Sequence, residues 1–223
     1  MSAADWTALK LTMQLAATST AILLLLGLPL AWWLARRRRP GQALVEAVVA
    51  LPLVLPPTVL GFYLLLALSP QGVLGGPWLA LSGQLLAFSF TGLLIGSVLY
   101  SLPFVVQPLQ AAFEQLPPRV LDAAATLGAG PMERFFTVAL PLIKRSLVTA
   151  ASLGFAHTVG EFGVVLMIGG NIPGETQTLS IALYDRIETL QYDSAHRLAA
   201  GLLVFSFLLL VALYAGKGRF QLR

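Results

Sequence analysis

Five long apolar runs, each closed by charges, glycine or proline, decide what this 223-residue chain can fold into. They lie at about residues 9–34, 44–68, 85–109, 147–169 and 198–215. The hydrocarbon core of a bilayer is crossed by about 20 apolar helical residues at about 1.5 Å each. Every run meets that length and is hydrophobic around most of the helix. A closed barrel would show short alternating strands, and that pattern is missing. The sequence therefore predicts an all-α integral membrane protein with about five transmembrane helices.

Composition agrees. Hydrophobic residues make up 57% of the chain and charged residues 11%, against about 25% charged in a soluble domain. The formal charge is +4, but the basic residues cluster at the ends of the apolar runs. That placement sets membrane topology and argues against a nucleic-acid partner. The absence of cysteine removes disulfides, thiolate metal sites and thiol catalysis together. The first run is too long for a signal peptide, and its arginine cluster follows it, so it reads as a retained span.

Lysine and arginine fix the expected orientation. With the N-terminus outside, Arg36, Arg37, Arg38, Arg39, Arg119, Arg134, Lys144, Arg145, Lys217, Arg219 and Arg223 fall inside. Only Lys10, Arg186 and Arg197 stay outside. The positive-inside rule then gives N-out, C-in. Trp32 and Trp33 suit the inner interface, and Trp6 and Trp78 the outer one. Residues 171–197 are too polar to span. Within them, 179–190 has helical periodicity with Asp185, Arg186 and Glu188, which predicts a short external or re-entrant helix. The whole of 1–223 reads as one transmembrane domain with no soluble catalytic module.

Pro52, Pro56 and Pro57 interrupt the second run, and Pro103 and Pro108 the third. Each internal proline removes a helix hydrogen bond. The freed carbonyls must meet other helices or water, so these prolines mark either plain kinks or a bent helix lining a path. Ser19, Thr20, Thr58, Ser89, Thr91, Ser97, Ser101 and Thr158 supply small or hydroxyl surfaces for close packing or a wet wall.

The loop at about 112–145 is long for a connector. Pro117 and Pro118 suit the opening of a helix, Gly128 its left-handed end, and Pro131 the start of a second helix. Ala123, Ala124 and Leu127 give the first helix a small-residue face, and Phe135, Phe136 and Val138 give the second an apolar side. Helices this short are unstable alone in water, so the loop predicts a cytoplasmic two-helix elbow that docks a protein partner.

The residues Asp122-Ala123-Ala124, then Gly128, then Val138-x-Leu140-Pro141 resemble the coupling loop of bacterial ABC importer permeases. The family pattern is Glu-Ala-Ala-x3-Gly-x9-Ile-x-Leu-Pro. Asp122 replaces Glu and Val138 replaces Ile, with the spacing kept. The resemblance implies that Asp122, Ala123, Ala124, Leu127, Gly128, Val138, Leu140 and Pro141 couple the chain to a cytoplasmic ABC ATPase. Two ATPase subunits would serve two copies of this chain in an inner (cytoplasmic) membrane complex, and ATP and Mg would be held by the ATPase rather than here.

Further stretches resemble the molybdate branch of these permeases: Leu51-Pro-Leu-Val-Leu-Pro-Pro-Thr-Val-Leu-Gly61, Gly160-Glu161-Phe162-Gly163 and Asn171-Ile-Pro-Gly-Glu-Thr176. Sulfate permeases share the Glu-Phe-Gly element and the loop, and tungstate is a dianion of similar size. The resemblance implies a molybdate permease working by alternating access and fed by a periplasmic molybdate-binding protein. Asn171, Pro173, Gly174, Glu175 and Thr176 would face that protein. Thr158, Gly160, Glu161, Phe162 and Gly163 would form a pathway or gate.

Glu161 falls about fourteen residues into the fourth run, about 21 Å from its inner end at helical rise. Intramembrane carboxylates are expensive and face polar interiors. A carboxylate repels a dianion, which leaves Glu161 as a gate or as a structural residue. His157, one turn earlier, makes a poor metal site with Glu161 alone, and no metal is expected. An embedded enzyme lacks convergent catalytic groups, and no Gly-x4-Gly-Lys-Ser/Thr phosphate loop occurs. A channel or ion-driven carrier needs no docking elbow, but only transport measurements separate it from an importer subunit.

Overall fold

The computed structural model describes residues 2–36 and 40–218, with side chains through Ala212, and contains helices and no strand among them. Arg37, Arg38, Arg39, Arg219 and Arg223, used for the orientation count, lie outside the described residues.

Helix α1 (Ala3–Arg36, 34 residues) is about 50 Å long at helical rise, more than a bilayer core requires. α2 (Gln42–Val54) and α3 (Pro57–Leu68) are one apolar run broken by a 113° bend. Pro56 and Pro57 stand at the break, where Pro57 opens α3 because a first turn needs no amide donor. A short α4 (Gly75–Ser82) follows. α5 (Phe90–Glu114) starts five residues after the apolar run begins. The delay has a local cause: Ser89 caps the helix, its hydroxyl accepting from Gly92 N–H at 3.1 Å.

The elbow comprises α6 (Pro118–Thr126), α7 (Pro131–Arg134), a π turn at Phe135–Ala139 and α8 (Leu140–Leu142). A 77° bend separates it from α9 (Lys144–Gly160). α10 (Gly163–Gly169), α11 (Leu179–Glu188) and α12 (Tyr192–Gly218) complete the chain.

α1, α5 and α9 pack on one another to form the centre. Small residues bring them together: a Cβ on Gly154 of α9 would stand 2.6 Å from Val105 of α5. α10 fills the space between α3 and α5. There Gly61 and Gly163 let α3 and α10 touch, with a Cβ on Gly163 only 2.6 Å from Pro57. α12 is peripheral: 11% of its apolar stretch is buried inside the chain, against 50% for α5. Leu203, Phe207 and Leu208 project outward from it, which suits a lipid-facing helix, since no polar cover is needed in a bilayer.

The fourth run is not one helix. α9 ends at Gly160, Glu161 is extended (φ −67°, ψ 134°), and Phe162 precedes the new turn of α10. The expected depth of Glu161 along an unbroken helix is therefore replaced by a position at a break. Among the described residues three helices are long and apolar enough to cross a membrane on their own, and each of the two bent pairs has the length and hydropathy of one further span.

Candidate functional site

The elbow is held from within and presents a separate outer face. Phe135 is buried against Trp32 of α1 and Phe113 of α5, with ring centres 5.3 Å and 6.0 Å away. Leu121 of α6 joins the same core, with Val138 and Leu140 packed against it. The π turn accommodates the crowding, leaving Phe135 inward and Phe136 outward. Gly128 takes φ +89°, as a helix end requires, and Glu133 accepts from Gly130 N–H at 3.4 Å to open α7. Asp122, Ala123, Gly128 and Pro141 are exposed and Ala124 half-buried. Leu127 is 88% exposed at the turn. The eight motif residues thus divide: Val138 and Leu140 anchor the elbow, and the remainder form a surface.

A second site lies at the helix breaks. An open pocket of about 570 Å³ is lined by Pro57, Thr58, Tyr100, Ala156, His157, Gly160, Glu161, Phe162 and Gly163. Four of the five expected pathway residues are here. The fifth, Thr158, is buried behind the wall, where it donates to Gly154 O at 3.0 Å and meets Ser101 Oγ at 3.0 Å. Tyr100 was not legible as a site residue, because an aromatic in an apolar run resembles ordinary packing.

Hydrogen-bond bookkeeping orients His157. Ser101 Oγ contacts both Thr158 Oγ1 and, at 2.9 Å, His157 Nδ1. Thr158 spends its proton on Gly154 O, so Ser101 donates to Thr158 and His157 Nδ1–H donates to Ser101. The ring is stacked on Phe104 with centres 3.8 Å apart. This leaves Nε2 as the nitrogen without a partner in that chain of bonds.

Glu161 is buried, and neither carboxyl oxygen has a hydrogen-bond partner among the described residues. Ser97 of α5 is its polar neighbour but does not reach hydrogen-bonding geometry, and its own Oγ is likewise unpartnered. Breaking the helix also frees backbone groups, which a membrane interior penalises. At the break a hydroxyl from another helix answers them: Ser180 of α11 donates to Glu161 O. At the far end of α10, Thr176 donates to Gly169 O at 2.6 Å. Leu179 N–H donates to Thr12 Oγ1 of α1 at 2.9 Å.

The third group of expected residues forms the turn between α10 and α11. Asn171, Pro173, Gly174 and Glu175 are exposed. Thr176 differs from its expected outward position: it is fully buried, because its hydroxyl closes the end of α10. Asn171 donates to Asp185 at 2.9 Å and accepts from Gln177 at 2.7 Å, tying the turn to α11. Arg186 of α11 forms an ion pair with Asp5 of α1.

Residues 27–217 match the family described as binding-protein-dependent transport system inner membrane component. The chain is 55% identical over 217 residues to the molybdenum transport system permease protein ModB of Azotobacter vinelandii, covering 97% of this chain and 96% of that one. It is 36% identical over 197 residues to the sulfate transport system permease protein CysT of Escherichia coli, covering 88% and 71%. Among solved structures, a bacterial ABC transporter involved in the import of the acidic polysaccharide alginate superposes with a TM-score of 0.78 at 18% identity. That alignment covers 99% of this chain and 81% of the other; at such identity it speaks for the fold alone.

Proposed function

The chain belongs to the binding-protein-dependent inner membrane components, and from that premise we propose that it is the permease subunit of an ATP-driven molybdate importer. The observation that carries the substrate is the 55% identity to a molybdenum permease over nearly the full length. The exposed elbow around Leu127 supports coupling to a separate ATPase.

In this reading two copies form a two-fold pore with five spans each, N-out and C-in. Each copy docks one ATPase subunit through Asp122, Ala123, Ala124, Leu127, Gly128 and Pro141. A loaded periplasmic binding protein meets Asn171, Pro173, Gly174 and Glu175. ATP-driven closure of the ATPase pair moves the elbows together, and the break between α9 and α10 turns the path from inward to outward. Among the described residues, no lysine or arginine lines the pocket at the break. Thr58, Tyr100 and His157 offer hydrogen bonds without fixed strong charge, which suits a dianion that must leave as readily as it enters, and Glu161 in the same lining serves as the gate rather than as a ligand. Selection then falls to the external binding protein.

Proteoliposomes holding the chain, its ATPase and a loaded binding protein are expected to accumulate labelled molybdate only with ATP. Flux through the chain alone would favour a channel or carrier. Sulfate in tenfold excess is expected to leave uptake intact; equal competition would favour the sulfate reading, which the 36% identity to a sulfate permease also supports.

Sidedness has its own test, because the chain has no native cysteine. Leu127→Cys is expected to react with an impermeant maleimide only from the cytoplasmic side, and Glu175→Cys only from the outside. The reverse pattern would invert the topology.

A further inference from the structure

We propose that the cleft between the end of α1 and α7 binds the phosphate of an anionic phospholipid in the cytoplasmic leaflet. The leaflet assignment rests on the orientation proposed above; the site does not. The cleft holds about 270 Å³ and is lined by Trp32, Trp33, Arg36, Pro131 and Arg134. It is a built site rather than a surface cluster. Trp32 is fixed edge-on to Phe113 and Phe135, with ring centres 5.0 Å and 5.3 Å away. The Arg36 guanidinium carbon lies 4.3 Å from the centre of the Trp32 ring, a stacking that sets the plane of that cation.

Arg134 supplies the unmet demand. Its Nε is buried and has no acceptor among the described residues. A guanidinium presents a planar fork of donors that matches a phosphate with two parallel hydrogen bonds. Arg134 beside the Arg36 side chain, with no carboxylate among the described lining residues, selects an anion. Two indoles beside them select an amphiphile. Tryptophan belongs at headgroup depth, where its ring meets acyl chain and its N–H meets polar groups, and Trp33 is 37% exposed on the rim. Arg37, Arg38 and Arg39 follow in the sequence, and such a run near a membrane surface concentrates anionic lipid. An occupant would bridge α1 to α7, fastening the base of the elbow to the first span.

The test is native mass spectrometry of the full chain in non-ionic detergent, titrated with phosphatidylglycerol, phosphatidylcholine or inorganic phosphate. One phosphatidylglycerol is expected to be retained per chain, with phosphatidylcholine lost. Arg134→Gln is expected to weaken retention about tenfold or more, and Arg134→Lys, which keeps the charge but not the fork, to fall between. Arg119→Gln, on the exposed face of α6, should change it less than about twofold. Near-UV dichroism of the tryptophans checks that each variant is folded, and Arg134→Lys carries the comparison if Arg134→Gln is not. Unchanged retention in the Arg134 variants, or equal retention of phosphatidylcholine, overturns the site. Retention of inorganic phosphate that displaces the lipid overturns the lipid as occupant. Retention in detergent does not depend on sidedness, whereas maleimide labelling of Leu127→Cys does, so the two readings fail separately.

Discussion

Replacing Leu127 with aspartate is expected to lower ATP-driven molybdate uptake about a hundredfold or more while the protein inserts and folds as before. Leu127 is 88% exposed at the turn of the elbow, so its own chain draws little stability from it. The elbow is held instead by Leu121 and Phe135 in the core. Burying a leucine on a partner contributes about 1.5–3 kcal/mol. Aspartate would forfeit that and add the cost of desolvating a charge against an apolar groove. A combined loss of about 3 kcal/mol corresponds to roughly a hundredfold weaker association. Ala124→Glu, on the half-buried face one turn earlier, should act in the same direction. The measurement is ATPase co-purification beside uptake, with membrane insertion followed by blotting. An intact, active complex carrying Leu127→Asp would remove the docking role from this surface.

The elbow was legible because its determinants are local. Proline at 118 and 131 fixes φ at helix starts, and Gly128 supplies the positive φ at a helix end. The apolar runs were legible because lipid imposes length and hydropathy on any helix that crosses it. The helix breaks were legible only in part. Pro56 and Pro57 announce an interruption in the second run, but nothing local specifies a 113° turn rather than a kink. The break at Glu161 and Phe162 has no proline at all. It persists because Ser180 of α11 satisfies the freed Glu161 carbonyl from outside α9 and α10, and hydropathy does not register such a donor. The same blindness put Thr176 on the outer surface when its hydroxyl closes a helix inside. α11 likewise reads by periodicity only as a short external or re-entrant helix. Its pairing with Asp5, Thr12 and Glu161 O makes it a brace for the broken span.

Glu161→Leu is expected to raise the thermal stability of the assembled transporter and to cut uptake about tenfold or more, two effects of opposite sign from one carboxyl group. Among the described residues both carboxyl oxygens are buried without a partner, beside an equally unpartnered Ser97 Oγ. A buried polar group left unsatisfied costs about 1–3 kcal/mol, and an apolar side chain of similar size recovers much of that. Stability alone would therefore have placed leucine here. A residue that burdens the resting fold is explained if its partner is met only in the other state, when α9 and α10 re-angle at the break. Glu161→Gln, which keeps the shape and hydrogen-bonding capacity, should retain more uptake than Glu161→Leu and gain less stability. The paired readouts are melting of the purified complex and initial uptake rate, with basal ATP hydrolysis followed alongside. Normal uptake and unchanged basal hydrolysis in both variants would reduce Glu161 to a structural residue and take the gate away from the α9–α10 break.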